Sequence, residues 1–185
     1  PKLAWFLFEV PNLIWVLYFF LFKSMPITPH IILFTIHYTN RSLIYPLTLK
    51  TTTPMPLEIV LSAASFTIAN GYLQCMGTIN KTNGNSWLML IGYVLFIAGM
   101  WANMKSDSML QDMKTKLSKE GESKKKYGVV RGFLFDYVSS PNYTAEIVEW
   151  IGYAMVGQNF ESALFALSTF LTLTPGAIKR HEWNL

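Results

Sequence analysis

The chain has 185 residues and a net charge of +4, yet only 14% of it is charged, against 51% hydrophobic and 15% aromatic, and its mean hydropathy is +0.29. Soluble domains carry about 25% charged residues, so this composition excludes an ordinary water-soluble globule. A lone cysteine, Cys75, excludes a disulfide framework or a cysteine-built metal centre; within an apolar helix it reads as a small buried thiol.

The apolar residues fall in blocks. Leu3–Phe22 carries one charge, Glu9, while Ile59–Ile79 and Trp87–Met104 carry none. Apolar runs of about 18 residues or more read as transmembrane helices. Ile31–Leu49 is interrupted by His37 and Arg41, and Ala145–Gly157 and Ser162–Thr174 need their flanks to span. The pattern predicts an all-α, polytopic membrane helix bundle with about six transmembrane helices, one membrane-embedded domain over residues 1–185, with 105–130 as a loop. The chain opens at Pro1 without an initiator Met and stops abruptly at Leu185, so a fragment or truncated gene product is expected. Leu3–Phe22 is too long for a signal-peptide core and has no small-residue cleavage site behind it.

Ionisable groups at membrane depth are costly, and each is a candidate for function. In the first helix Glu9 stands among Trp5, Phe6, Leu7, Phe8 and Val10. Such surroundings favour the neutral acid, which can donate a hydrogen bond to a carbonyl. The alternative is that Glu9 bonds backbone freed by Pro11. In the second helix Tyr38, Arg41 and Tyr45 follow at i, i+3 and i+7, a spacing that puts them on one α-helical face. Buried arginine seeks phosphate or carboxylate, and a phenol can polarise a carbonyl; the plainer alternative pairs Arg41 with a bundle carboxylate such as Glu149. The helix from Trp87 continues past Lys105 with a polar stripe of Asn103, Asp107, Gln111 and Lys114. It suits ribose hydroxyls, an adenine edge and phosphate, or is a solvated helix extension.

The 105–130 loop mixes Lys124-Lys125-Lys126 with Asp107, Asp112, Glu120 and Glu122, which reads as a solvated loop touching anionic headgroups. No nucleic-acid module, internal repeat or low-complexity segment is present. After it, Ser140 is a candidate N-cap and Pro141 a candidate first helical residue, so a helix begins whose N-terminal N–H groups can receive an anion. Asn142, Glu146, Glu149 and Tyr153 are spaced to line one of its faces, with Trp150 beside them as a stacking surface. Scattered histidines, no HExxH and no cysteine pair leave no metal site. There is no Ser-His-Asp order and no GxGxxG, so a Rossmann nucleotide site is absent and side chains would have to hold any nucleotide.

Six alternating helices sort the basic residues to two sides. One receives Lys2, Lys50, the eight between Lys105 and Arg131, Lys179 and Arg180, twelve in all; the other receives Lys23 and Lys81. Basic loops stay cytoplasmic, so both chain ends and the 105–130 loop are expected in the cytosol. The sequon Asn80-Lys81-Thr82 then falls on the lumenal side, and Asn142-Tyr143-Thr144 on the cytosolic side, where it would not be used.

The strings Trp5–Pro11, His37–Pro46, Asn70–Gln74, Asn103–Asp107 and Leu134–Tyr153, and more weakly His181–Trp183, occur in the order seen in the steroid 5α-reductase family (3-oxo-5α-steroid 4-dehydrogenases), which this chain resembles over nearly its whole length. The resemblance implies a bundle of about seven helices in the endoplasmic reticulum membrane, the first preceding Pro1 and a short tail following Leu185. It implies NADPH held from the cytosolic side and a Δ4-3-oxosteroid entering from the lipid. Glu9 and Tyr38 match the residues that hydrogen-bond the steroid 3-keto oxygen, while hydride adds at C5 and a proton at C4. Arg41, Asn103, Asp107, Lys114, Tyr127, Asn142 and Trp150 match cofactor-pocket residues, and Glu146 and Glu149 match acids of the same polar network. The chain departs from the pattern at Thr52, which replaces an Arg, at Val129-Val130 and Phe133, at Gly176, which stands where a cofactor-binding Arg is expected, and at Asn184, which replaces a Tyr. Lys179 or Arg180 is placed to compensate. Alternative readings are a trans-2-enoyl-CoA or polyprenol reductase of the same superfamily, and a degenerate, non-catalytic membrane protein. The partners implied are a steroid or sterol-like lipid and the membrane lipids themselves.

Overall fold

The computed structural model describes residues 1–50, 54–80, 84–119 and 130–184, and all regular structure among them is helical. Helix α1 spans Lys2–Phe22; α2 spans Pro29–Thr39 and runs through a π-helical turn, Asn40–Ile44, into the short α3, Tyr45–Thr48. Then come α4 (Leu57–Ile79), α5 (Ser86–Lys119), a 3-10 turn at Phe133–Asp136, α6 (Pro141–Gly157) and α7 (Phe160–Asn184). Six helical rods therefore follow the predicted apolar blocks. Three of them, α1, α4 and α5 (Ser86–Leu117), are long and apolar enough to cross a membrane. The predicted Tyr127, Thr52, Lys124–Lys126 and the Lys81-Thr82 half of the first sequon lie outside the described residues.

The exterior is apolar. Leu3, Phe22 and Trp87 are 69%, 72% and 75% exposed, as lipid-facing positions are, because a helix that has satisfied its own backbone needs only apolar side chains towards hydrocarbon. The interior is unusually polar, with Glu9, Asn12, His30, His37, Gln74, Asn103 and Glu149 all buried.

Local chemistry sets the element ends. Pro29 and Pro141 occupy first-turn positions of α2 and α6, where a missing N–H costs nothing. Ser140 stands at the N-cap of α6, but its hydroxyl makes no capping bond and is left buried without a partner; only the position of the predicted cap holds. Pro11 lies inside α1, and donors from outside the ladder serve the adjoining carbonyls: Thr67 donates to Phe8 O, and Asn12 Nδ2 to Glu9 O at 3.3 Å. Glu9's side chain takes no part in that repair. At the α6–α7 corner Gln158 adopts φ 48°, and the Asn159 carboxamide oxygen accepts from the Ser162 N–H at 2.9 Å, closing the first turn of α7.

Small residues bring α5 and α6 together. A Cβ on Gly152 would stand 2.5 Å from Phe96 N; one on Gly99 would stand 2.6 Å from Glu149 N, and one on Gly92 2.7 Å from Gly152 O. The two backbones touch, as small residues allow between membrane helices. This contact fixes the height of Glu149 and of every polar residue on α6. A buried aromatic cluster fills the centre: Trp150 packs on Phe165 (4.2 Å between ring centres), on His37 (4.4 Å) and on Tyr153 (5.3 Å).

Candidate active site

Arg41 is the hub. It lies in the π-helical turn beyond α2, and its guanidinium is 3.3 Å from Asp107 Oδ2 on α5 and 3.9 Å from Glu9 Oε1 on α1. The Trp5 and Tyr45 rings each stand 4.9 Å from its Cζ. Trp5 and Glu9 are four residues apart on α1, one above the other on a single face, so the cation meets a ring and a carboxylate together. The bundle acid Glu149 is not its partner: Glu149 Oε1 and His37 Nδ1 share a hydrogen bond of 2.6 Å.

The π turn changes the predicted register. Tyr38, Arg41 and Tyr45 do not share a face, because the wider turn at Asn40–Ile44 rotates α3 relative to α2. Tyr38 lines one cavity, Tyr45 lines two others, and Arg41 borders all three.

The largest of these, about 560 Å³, is walled by residues of α1, α2, α4, α6 and α7, with Glu9, Tyr38, Phe66, Trp150 and Phe165 among them. Most of its surface is apolar. Glu9 and Tyr38 are 8% and 4% exposed, and among the described residues neither the carboxyl nor the phenol makes a hydrogen bond. Both therefore stand on one cavity wall with their hydrogen-bonding capacity unspent.

Two cavities bordered mainly by polar residues, hence the polar cavities, lie on the other side of Arg41; the smaller is polar over most of its surface, while the larger, like the first cavity, is apolar over most of its own. One, about 360 Å³, is bordered by His37, Asn103, Asp107, Gln111 and Glu149; the other, about 180 Å³, is bordered by Asp107, Lys114, Asn142, Glu146 and Arg180, and Tyr45 and Lys50 belong to both. Side-chain amides tie the walls together. Asn103 Nδ2 donates to Asn142 O at 2.9 Å and to Glu146 Oε2 at 3.3 Å, and Asn142 Nδ2 donates to Asp107 Oδ1 at 3.2 Å. The predicted stripe of Asn103, Asp107, Gln111 and Lys114 thus faces the polar cavities along α5, which stays helical to Lys119. Lys50 is docked to the same stripe: its N–H donates to Gln111 Oε1 at 3.1 Å and its ammonium to Asp112.

Arg180 enters from α7. Its guanidinium donates to Asn142 Oδ1 at 3.5 Å and to the Tyr143 hydroxyl at 3.4 Å, and lies 4.8 Å from the Tyr143 ring centre. A Cβ on Gly176 would stand 3.1 Å from Tyr143 Cε2. Gly176 makes room for the ring against which Arg180 lies one turn later, so Arg180 is the α7 cation that borders the polar cavity.

Two predicted residues sit elsewhere than expected. Trp150 is 1% exposed and borders the large apolar cavity rather than the polar pair. Tyr153 is turned away, donating to Gln74 Oε1 at 3.1 Å. Trp5, Lys50 and Tyr143 join the site without having been singled out; Trp5 was discoverable from its i, i+4 relation to Glu9, whereas Tyr143 carries no sequence signal beyond adjoining Asn142. Among the described residues no three His, Cys, Asp or Glu side chains gather as a metal site requires.

Comparison with known proteins places this arrangement in a family. The profile described as 3-oxo-5-alpha-steroid 4-dehydrogenase matches residues 53–185, which takes in α4 to α7 but not Glu9, Tyr38 or Arg41. Full-length relatives extend the match across those residues. The human 3-oxo-5-alpha-steroid 4-dehydrogenase 1 is 36% identical over 100% of this chain and 73% of its own length. The steroid 5-alpha-reductases DET2 of Solanum lycopersicum and Arabidopsis thaliana are 35% and 34% identical, each over 100% of this chain and 74% of their own. The chain belongs to the 3-oxo-5-alpha-steroid 4-dehydrogenase family of oxidoreductases.

Proposed function

We propose that this chain reduces the Δ4 double bond of 3-oxosteroids with NADPH, adding hydride at C5 and a proton at C4. The observation that carries the reading is the placement of Glu9 and Tyr38, both free of hydrogen bonds among the described residues, on the wall of one largely apolar cavity that meets the two polar cavities at Arg41. The apolar cavity suits a rigid lipid ketone. Ile59 and Phe66 on its α4 wall are 54% and 44% exposed, which supports entry from the lipid side.

The donor set of the polar cavities fits a dinucleotide phosphate. Arg41, Lys50, Lys114 and Arg180 supply cations for phosphate, while Asn103, Asn142, Gln111, Asp107 and Glu146 supply amides and acceptors for ribose and base edges. When bound, a reduced nicotinamide supplies the hydride. The protein's part is electrostatic: as negative charge develops on the 3-oxygen, the Glu9 carboxyl and the Tyr38 phenol donate hydrogen bonds to it, and donors placed in advance cost no reorganisation. His37 and Arg41 border both the apolar and the polar cavity, and so mark where ketone and nicotinamide would meet.

The same reading has six crossings of the endoplasmic reticulum membrane, with both ends of this chain and the 105–130 segment cytosolic, on the side of the twelve basic residues. Incubation of the chain in lipid nanodiscs with NADPH and a 4-ene-3-oxosteroid tests the assignment: the 5α-reduced ketone is expected, and turnover of a trans-2-enoyl-CoA in its place would reassign the substrate. Asp107→Ala and Asn142→Ala are each expected to weaken NADPH binding roughly tenfold or more, the value of a hydrogen bond to a charged group, as read by calorimetry. Arg180→Ala is expected to do the same and Lys179→Ala to change nothing, since Arg180 and not Lys179 borders the polar cavity. Equal effects of the two would contradict the assignment of Arg180.

A further inference from the structure

Reduction of an enone needs two hydrogens, and the groups aimed at the ketone oxygen account for neither the hydride nor the proton that must reach carbon. We propose that His37, held by Glu149, is the acid that protonates C4; the proposal rests on the reductase reading above. His37 Nδ1 and Glu149 Oε1 are 2.6 Å apart, and the two residues are 3% and 0% exposed. The backbone of Glu149 is packed against α5, where a Cβ on Gly99 would stand 2.6 Å from its N. The imidazole is packed too, with its ring centre 4.4 Å from that of Trp150 and 5.1 Å from that of Tyr38.

A carboxylate on Nδ1–H fixes which nitrogen is engaged and leaves Nε2 to act. Among the described residues the His37 side chain makes no hydrogen bond besides that one. His37 also borders the cavity that holds Glu9 and Tyr38 as well as the larger polar cavity, and it is the chain neighbour of Tyr38. Carbon 4 adjoins the carbonyl carbon, so a ketone oxygen held by Tyr38 brings C4 close to the residue beside it. Of the other acids bordering the apolar cavity, Glu146 accepts from Asn103 and Glu58 stands in the first turn of α4.

Atoms and electrons balance across the two transfers. Hydride adds to C5, the C4–C5 π pair becomes the C3–C4 π pair, and the former carbonyl pair rests on the 3-oxygen as an enolate. The enolate π pair then takes the proton from Nε2–H of the imidazolium, forming the C4–H bond. The C3=O bond reforms, the N–H electron pair remains on Nε2, and solvent water returns the proton.

The position of the label decides the matter. In D₂O with NADPH and a 4-ene-3-oxosteroid, the wild-type chain in nanodiscs is expected to place deuterium on one face of C4. His37→Gln is expected to lower kcat roughly 100-fold, the lower end of what a positioned general acid contributes, and to give deuterium on both faces, because the enol then escapes and is protonated by water. Glu149→Gln keeps the shape and loses the anion, so partial loss of facial selectivity is expected there. A cofactor-free measurement guards against a misfolded variant: the wild-type chain should exchange one C4 hydrogen of the saturated 3-ketone with D₂O, by the reverse of the same transfer. Single-face labelling in His37→Gln at the wild-type rate, or no exchange by the wild-type chain, would overturn the role of His37 and leave the reductase reading standing. A wild-type chain that reduces no 4-ene-3-oxosteroid would bring down both.

Discussion

Glu9→Gln and Tyr38→Phe are each expected to cut turnover of a 4-ene-3-oxosteroid roughly 100- to 1,000-fold, the loss seen when one donor of an oxyanion site is removed, while NADPH titrations stay at wild-type values. The separation follows from the geometry. Both residues border the large apolar cavity, and neither borders the two polar ones; Tyr38→Phe touches none of the cations, and Glu9→Gln removes only the 3.9 Å ion-pair contact to Arg41, which keeps its closer partner Asp107 at 3.3 Å. Both groups are also free of hydrogen bonds among the described residues, so neither substitution breaks a structural contact of that kind. Unchanged turnover in both variants would remove the proposed ketone-polarising pair, and parallel loss of turnover and cofactor binding would mean that the cavities are not divided between two ligands.

Gly152→Leu is expected to cost about 3 kcal/mol, the upper end of overpacking penalties, and to show as loss of the monodisperse, helical chain in a thermal melt. A Cβ at that position meets main-chain atoms of Phe96 and Gly92 rather than a movable side chain, so relief requires α5 and α6 to part. Separation would also undo the hydrogen bond from Asn103 to Asn142 and the seating of Glu149. Gly176→Ala provides the contrast: its Cβ would meet the side-chain ring of Tyr143 at 3.1 Å, and a small rotation of that ring is expected to hold the loss under about 1 kcal/mol, close to the range of ordinary surface changes. Equal melting temperatures for Gly152→Leu and wild type would show that the α5–α6 contact does not organise the site.

The helical class and the positions of most rods were legible in the apolar blocks, because lipid requires long, nearly uninterrupted apolar runs. The α5 stripe was legible too, since an unbroken α-helix carries a 3.6-residue period over its length. The second rod was not. A π turn leaves no composition mark at Asn40–Ile44, and with it the shared face of Tyr38 and Tyr45 was lost. Pairings across the bundle were equally hidden: His37 and Glu149 are 112 residues apart, and Arg41 had several acids to choose from. Burial of Trp150 likewise depends on Phe34, Phe165 and His37 converging from α2 and α7, which local spacing does not encode. The departure at Gly176 is legible only in three dimensions, where the missing side chain and the arginine one turn later occupy one neighbourhood with Tyr143.

The central claim is that a ketone held at Glu9 and Tyr38 faces a reduced nicotinamide across Arg41. Its most direct test is label transfer: NADPH carrying deuterium at the reactive carbon, incubated with a 4-ene-3-oxosteroid and the wild-type chain in nanodiscs, with the product read by NMR. Deuterium is expected at C5 on the α face, and none at C4. Deuterium at any other carbon, or a 5α-reduced product without label, would contradict the claim.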